Sequence, residues 1–121
     1  MKLATLNINW ANKSKSKNHC LKIEKFLNAQ DFHFLILTEA INLDLPNFPF
    51  KYLSEQIPEN IRYENLNYPE YLKGEKAYRT IIYSKFPSVK KHHVIDGKTS
   101  LAQEFETEIG NIIIYTTIIG T

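Results

Sequence analysis

Cysteine and long apolar runs are scarce in this chain. Its 121 residues include one cysteine, Cys20, so neither an intrachain disulfide nor a paired-cysteine zinc or redox motif can form. No apolar run approaches the ~18 residues that a membrane span requires, and the first residues contain no apolar signal-peptide core. We therefore expect a soluble protein of a reducing, cytoplasmic compartment that has no membrane partner.

A strong excess of either charge is also absent. The chain has 15 basic and 13 acidic residues, and the formal net charge of +2 does not by itself indicate binding to nucleic acid or membrane. Hydrophobic residues make up 43% and charged residues 23%, which is typical of a folded globular chain. We expect residues 1–121 to form a single domain, or half of a larger one.

The first forty residues have the pattern of a β-α-β unit. Apolar and polar side chains alternate over residues 3–10, which predicts a strand, and a helix is predicted from Ser16 or Asn18 to about residue 29. Residues 32–37 form an apolar run typical of a strand buried on both faces. The apolar side of the helix is predicted to carry Cys20, Ile23, Phe26 and Leu27. A β-α-β crossover makes its two strands parallel.

The rest of the chain predicts a long connection and then antiparallel strands. Residues 41–75 contain four of the five prolines and are predicted to be an insertion-rich loop region with one short strand near residues 50–54. Further strands are predicted at residues 80–84, 88–95, 100–108 and 111–119. The predicted fold class is therefore α/β, of the α+β sandwich type, in which a β-α-β unit precedes mostly antiparallel strands.

The last predicted strand is apolar on both faces. Its alternating positions carry Ile112, Ile114 and Ile118 on one side and Ile113, Tyr115 and Ile119 on the other. Such a strand needs cover on both faces, and a single predicted helix cannot supply it. We expect the cover to come from a second copy of the chain, as a homodimer, or from a missing C-terminal half.

Three polar residues fall where the two predicted parallel strands end. Asn7 and Asn9 end the first strand and Glu39 ends the second, so they meet at the sheet edge where α/β folds bind ligands. One carboxylate with one or two amide oxygens suits Mg²⁺, which keeps water and phosphate oxygens as its other ligands. The alternative is structural: the asparagines form Asx turns and Glu39 marks where its strand meets water. The residue pattern leaves both interpretations open.

Three segments of the chain resemble a known family. The first is KLATLNIN at residues 2–9, which continues after the helix as DFHFLILTE at residues 31–39. The others are RTIIYSKFP at residues 79–87 and NIIIYTTIIG at residues 111–120. In this order they are similar to the endonuclease/exonuclease/phosphatase superfamily. Its first strand ends in Asn, its second ends in Gln-Glu, and its later strands read GVAILSRYP and NTHLG. The resemblance covers essentially the whole chain and about the first half of the family's fold.

The resemblance implies a hydrolase of phosphodiesters or phosphoesters that depends on Mg²⁺ or Mn²⁺, nuclease-like or phosphatase-like, built as a four-layered α/β sandwich. It implies that Asn7 and Glu39 are catalytic residues that hold the metal and the scissile phosphate while water attacks in line. Asn9 and Tyr78 are weaker candidates for contact with the phosphate. The substrate class stays open between DNA, RNA, a phospholipid and a small phosphoester.

The chain also departs from the family pattern. Leu6 stands where the family has Trp, Thr38 where it has Gln, and Arg79 where it has Gly. Ile118 occupies the position of a phosphate-contacting His. The family segments that supply the water-activating Asp and His would follow residue 121. We therefore expect a domain truncated at its C-terminus and inactive alone. The alternative is a non-catalytic remnant that binds nucleic acid or phosphate.

The remaining charged residues carry weaker signals. The basic loop is either a contact for a nucleic-acid backbone or a solvated loop, and its residues are Lys13, Lys15 and Lys17. His33 is predicted to be a hydrogen-bonded core or edge residue. His92 and His93 are neighbours on a predicted strand, so they point to opposite faces and do not chelate a metal together.

Overall fold

The elements of the fold follow the predicted order. The computed structural model describes residues 1–9, 17–57, 62–63, 66–67 and 77–119, with the backbone alone at 17–19, 62–63 and 66–67. The first elements are β1 (Leu3–Asn7), α1 (Lys17–Asn28), β2 (Phe34–Ile41) and β3 (Phe50–Leu53). The next are β4 (Arg62–Tyr63), β5 (Leu66–Asn67), β6 (Ala77–Ser84), β7 (Ser88–Lys91), β8 (Ser100–Thr107) and β9 (Gly110–Thr117).

Two sheets and the helix make three layers in the described residues. Sheet I has the strand order β1-β2-β6-β3; β1 and β2 are parallel, and the other pairs are antiparallel. Sheet II is the antiparallel meander β7-β8-β9, and β4 pairs with β5 as a separate hairpin. The predicted α+β fold class, a β-α-β unit followed by antiparallel strands, is confirmed.

Sheet I is covered on both faces because β2 is apolar on both. One face packs against α1 and the segment after β2 in a helix-side cluster that includes Leu27, Leu35, Leu37, Leu43 and Tyr83. The other face packs against sheet II in an inter-sheet cluster of Phe34, Ile36, Ile82, Leu101, Phe105 and Ile114. The prediction of a strand buried on both faces is confirmed, and so is the short strand near residues 50–54, which is β3. The prediction that residues 41–75 contain only this strand is wrong, because β4 and β5 lie in the same region.

Several predicted strand boundaries are wrong. β6 begins at Ala77 rather than at residue 80, and β9 ends at Thr117 rather than at residue 119. β1 ends at Asn7 rather than at residue 10, and β7 ends at Lys91 rather than at residue 95. β2 continues to Ile41 because its antiparallel pairing with β6 extends to Ala77. Glu39 therefore lies inside β2 and not at its C-terminal end.

Helix α1 buries a narrower stripe than predicted. Leu27 is 2% exposed, and Cys20 and Ile23 pack against the same cluster at helical spacing, but Phe26 is 62% exposed. Phe26 is one residue, or about 100°, away from Leu27 around the helix, so it lies off the face that contacts the sheet. Across the described ranges, no helix combines the length and apolar character needed to cross a bilayer.

Tyr83 links sheet I to the segment after β2. Its ring is 1% exposed, its hydroxyl donates to the carbonyl oxygen of Leu43 at 2.8 Å, and it accepts from the N–H of Leu43 at 2.9 Å. Burial raises the pKa of the Tyr83 hydroxyl, which therefore stays protonated and able to donate.

We expect Tyr83→Phe to lower the free energy of unfolding by about 2 kcal/mol, because it leaves two buried backbone groups of Leu43 without their partner. Urea denaturation measures this change. Tyr115→Phe is the matched control, since Tyr115 is 60% exposed, and we expect it to change the stability by less than about 0.5 kcal/mol. Equal urea midpoints for Tyr83→Phe and the unmodified chain would contradict the prediction.

Candidate functional site

The predicted site residues are brought together at one edge of sheet I. β1 and β2 pair in parallel with Asn7 opposite Thr38, and the N–H of Ile8 donates to the carbonyl oxygen of Thr38 at 3.1 Å. Glu39 is the next residue of β2. Since neighbouring strands lie about 4.8 Å apart, the backbones of Asn7 and Glu39 are neighbours, as the β-α-β rule predicts.

Each of the two chain segments that meet at this edge contains a residue with an unusual backbone conformation. In the described part of the chain, Asn9 (φ 45°) and Glu39 (φ 46°) are the non-glycine residues with positive φ. Asparagine adopts this left-handed region readily, but glutamate does not. At Glu39 it interrupts the alternation of β2, because Ala40 and Ile41 both join the helix-side cluster. Such a conformation costs of order 1–3 kcal/mol and persists only where the surrounding structure holds it.

The side chain of Asn7 already has a structural role. Its Oδ1 accepts a hydrogen bond from the N–H of Asn9 at 2.8 Å, which is the Asx turn that the structural interpretation predicts. An amide oxygen has two lone pairs, so this contact leaves one for a cation. Asn7 and Asn9 are both exposed, and a ligand can reach them.

The C-terminal end of β9 lies at the same edge. Thr80 of β6 pairs with Thr38, and its Oγ1 shares a buried hydrogen bond of 2.8 Å with Oγ1 of Thr116. Two residues further on, the N–H of Ile118 donates to the carbonyl oxygen of Thr99 at 3.1 Å. The three segments that resemble the family therefore converge at one edge, but Ile118 presents no polar group to it.

The donor set at this edge is small. The described ranges contain no group of three or more His, Cys, Asp and Glu side chains placed to hold a metal ion. Glu39 is half-buried, and its carboxylate has no hydrogen bond or ion pair to another described residue. One carboxylate and one amide oxygen fit a hard cation that takes its other ligands from water and substrate, and they make a weak site on their own.

Tyr78 lies beside this edge on β6. It pairs with Ala40 and forms an isolated bridge with Gln56, and its half-buried ring packs against the helix-side cluster. The side chains of the predicted basic loop lie outside the described part of the chain. Lys13 and Lys15 lie outside the described residues, as does the side chain of Lys17.

The three histidines whose side chains are described lie in separate environments. Nδ1 of His33 accepts a hydrogen bond from the N–H of Lys2 at 2.9 Å and its ring stacks on Phe86, so it is a hydrogen-bonded edge residue as predicted. Nε2 of His92 lies 2.7 Å from Oε2 of Glu104, while His93 is exposed. Hydrogen bonds from His92 and then from the amide of Asn111 hold the pKa of Glu104 below its usual range.

Sequence reasoning missed a cleft of about 490 Å³ between the end of β3 and the connection from β7 to β8. Its walls come from residues 53–55, 91–95, 97 and 100–102. The first two segments are about forty residues apart in the chain. No local pattern links them, because the cleft exists only after β3 and β7 are placed by different sheets.

Comparison of the chain with protein-family models, with curated proteins and with solved structures finds no match. Membership of the endonuclease/exonuclease/phosphatase superfamily is therefore a proposal.

Proposed function

We propose that this chain is the N-terminal half of an endonuclease/exonuclease/phosphatase-like domain, a metal-dependent hydrolase of phosphodiesters or phosphoesters. In this proposal Asn7 and Glu39 hold Mg²⁺ or Mn²⁺ together with the phosphate of the substrate. In this proposal the complete domain has the four-layered architecture of that superfamily.

The observation that supports this proposal most is the backbone of Glu39. A glutamate with a φ of 46° inside a buried strand is an unfavourable conformation, and it occurs next to Asn7. Unfavourable backbone conformations concentrate at functional sites, where the surrounding fold maintains them. A glutamate with no role beyond filling its place in β2 would need no left-handed backbone, so the purely structural interpretation accounts for Asn7 and not for Glu39.

The chemistry follows from the charges. Glu39 and Asn7 would hold the divalent cation, which would supply stabilisation of the negative charge that develops on a phosphate oxygen during hydrolysis. Asn7 orients the phosphate through its amide group. Asn9 and Tyr78 are the weaker candidates for contact with the phosphate.

The same geometry indicates that the chain hydrolyses phosphoesters poorly on its own. Ile118 offers no imidazole at the edge. The histidines whose side chains are described contact Lys2, Glu104 or solvent. Water activation needs a base within hydrogen-bond reach. We expect Mg²⁺-dependent hydrolysis of a generic phosphodiester to stay near background. Turnover that disappears in Glu39→Ala would show that this chain contains its own base.

The second candidate function is a non-catalytic module that binds phosphate or nucleic acid. The aliphatic Ile118 and the Asx turn of Asn7 favour it. Such a module would have the same metal site as the hydrolase but would lack the residues needed for turnover. Activity gained on adding a C-terminal segment that carries the family's water-activating Asp and His would favour the hydrolase.

The metal site is tested by titrating Mn²⁺ into the protein and following the free ion by electron paramagnetic resonance. We expect one weak site, because a single carboxylate is a poor cage, and we expect Glu39→Gln to abolish it. Glu106→Gln is the matched control, since Glu106 is exposed on β8 and its loss leaves the edge intact. Equal Mn²⁺ binding by the unmodified chain and Glu39→Gln would overturn the proposed function.

A further inference from the structure

The cleft between β3 and the β7–β8 connection lies on the same rim of the molecule as Asn7 and Glu39. β3 and β2 both pair antiparallel to β6, so they run in the same direction, and Leu53 and Leu37 both pair with Ile81. The C-terminal ends of β2 and β3 therefore face the same side. They are two strand spacings apart, or about 10 Å.

The cleft has an apolar floor. Its half-buried apolar residues, Leu53 and Val94, present this floor, whereas Leu101 and Ala102, which also line the cleft, are only 2% and 5% exposed and contribute little to it. A volume of about 490 Å³ lies within the range of sites that enclose small ligands. A flat, largely uncharged group can lie against such a floor without losing hydrogen bonds to water.

Polar groups of both signs surround that floor. Lys91 and His93 are exposed, and His92 is positioned by its 2.7 Å contact with Glu104. Glu55 contributes the opposite charge, and its carboxylate has no hydrogen bond or ion pair to any other described residue. The lining therefore combines one lysine with one glutamate.

Glu55 is placed by a close approach of two backbones. Its N–H donates to the carbonyl oxygen of Gly97 at 2.7 Å, and a Cβ atom at Gly97 would lie 2.6 Å from Oε1 of Glu55. The absence of a side chain at Gly97 is what lets the carboxylate lie against this turn. A side chain at Gly97 would force the carboxylate of Glu55 to shift from this position.

This combination selects among phosphate-containing ligands. A single phosphate suits Lys91 and His93, while Glu55 accepts hydrogen bonds from N–H or O–H donors and the floor takes an aromatic face. A headgroup that carries several phosphates would meet one lysine and a repelling carboxylate. The chemistry fits a nucleoside monophosphate.

We propose that the cleft binds one nucleotide unit of a nucleic-acid strand, with its phosphate at Lys91 and His93 and its sugar and base at Glu55 and the floor. A neighbouring phosphate of the same strand then lies at Asn7 and Glu39. This second part rests on the proposed function, and the first does not.

The first experiment needs no metal ion. Adenosine 5′-monophosphate is titrated into the protein while the amide shifts of residues 53–55 and 91–102 are followed by NMR, with inorganic phosphate and inositol trisphosphate in parallel. We expect the nucleotide to bind more tightly than either of the other two. Lys91→Gln and Glu55→Gln should each weaken it about tenfold, and Lys90→Gln, on the neighbouring exposed lysine, should not.

The outcomes separate the two proposals. No shift at the cleft, or tighter binding of inorganic phosphate or of inositol trisphosphate, overturns the nucleotide site even if Mn²⁺ binds at Glu39. Nucleotide binding at the cleft without Mn²⁺ binding at Glu39 would support the nucleotide site and contradict the proposed function.

A second arm distinguishes a free nucleotide from a nucleic-acid strand. With Mg²⁺ present, we expect a tetradeoxythymidylate to bind more tightly than thymidine monophosphate, and we expect Glu39→Gln to remove that gain. Equal affinities would contradict binding of a nucleic-acid strand and would indicate a site for the free nucleotide.

Discussion

Phe105→Ala is expected to lower the free energy of unfolding by about 4 kcal/mol, because it removes a fully buried side chain that packs between the two sheets. Phe105 is fully buried, and its ring makes edge contacts with Phe34 and Tyr52 at centroid distances of 4.8 and 5.6 Å. These rings come from β2 and β3, so one residue of β8 contacts two strands of sheet I. Its loss leaves a cavity that neither backbone can close without moving a sheet.

Urea denaturation measures this effect, and Phe26→Ala is the matched control. The same atoms are removed at Phe26, but that side chain is 62% exposed, so we expect a change of less than about 1 kcal/mol. A small effect at Phe105 would mean that sheet II is only loosely attached to sheet I. The shared rim that places β9 beside Glu39 would then lose its support.

Ile113→Lys is expected to weaken self-association of the chain by roughly 100-fold. Ile113 and Tyr115 are 57% and 60% exposed on the outward side of β9, while Ile114 between them is 6% exposed in the inter-sheet cluster. β9 is the last strand of sheet II and contains no charged residue. An uncharged apolar edge strand is a template for pairing with another strand.

Sedimentation at micromolar concentration measures this association. We expect the unmodified chain to form dimers or larger species, unless a C-terminal half is supplied to cover β9. Ile95→Lys is the matched control, because Ile95 is exposed on the β7–β8 connection, away from the edge of β9. A stable monomer that unfolds cooperatively would contradict the half-domain interpretation.

Local patterns in the sequence predict most of the fold. The run from Phe34 to Leu37 is apolar at every position, so its burial on both faces follows from composition alone. The end of β2 does not, because it is decided by pairing with Ala77, which is more than thirty residues away. Phe26 is apolar but exposed because the sheet beneath α1 contacts only a narrow stripe, which the helix sequence does not specify.

The candidate site was also predictable only in part. The adjacency of Asn7 and Glu39 follows from the handedness and direction of a β-α-β unit, which a sequence pattern suffices to indicate. The left-handed backbone of Glu39 does not follow, since glutamate has no preference for that region. The cleft at Glu55 depends on how two sheets stack, and no spacing of residues along the chain encodes it.

The most direct test of the metal and phosphate site is the position of bound Mn²⁺, read from the paramagnetic broadening of amide NMR signals. We expect the signals of residues 7–9 and 38–40 to broaden first, and we expect this broadening to be absent in Glu39→Gln. Broadening centred elsewhere, or unchanged in Glu39→Gln, would contradict the assignment of Asn7 and Glu39 as the metal site.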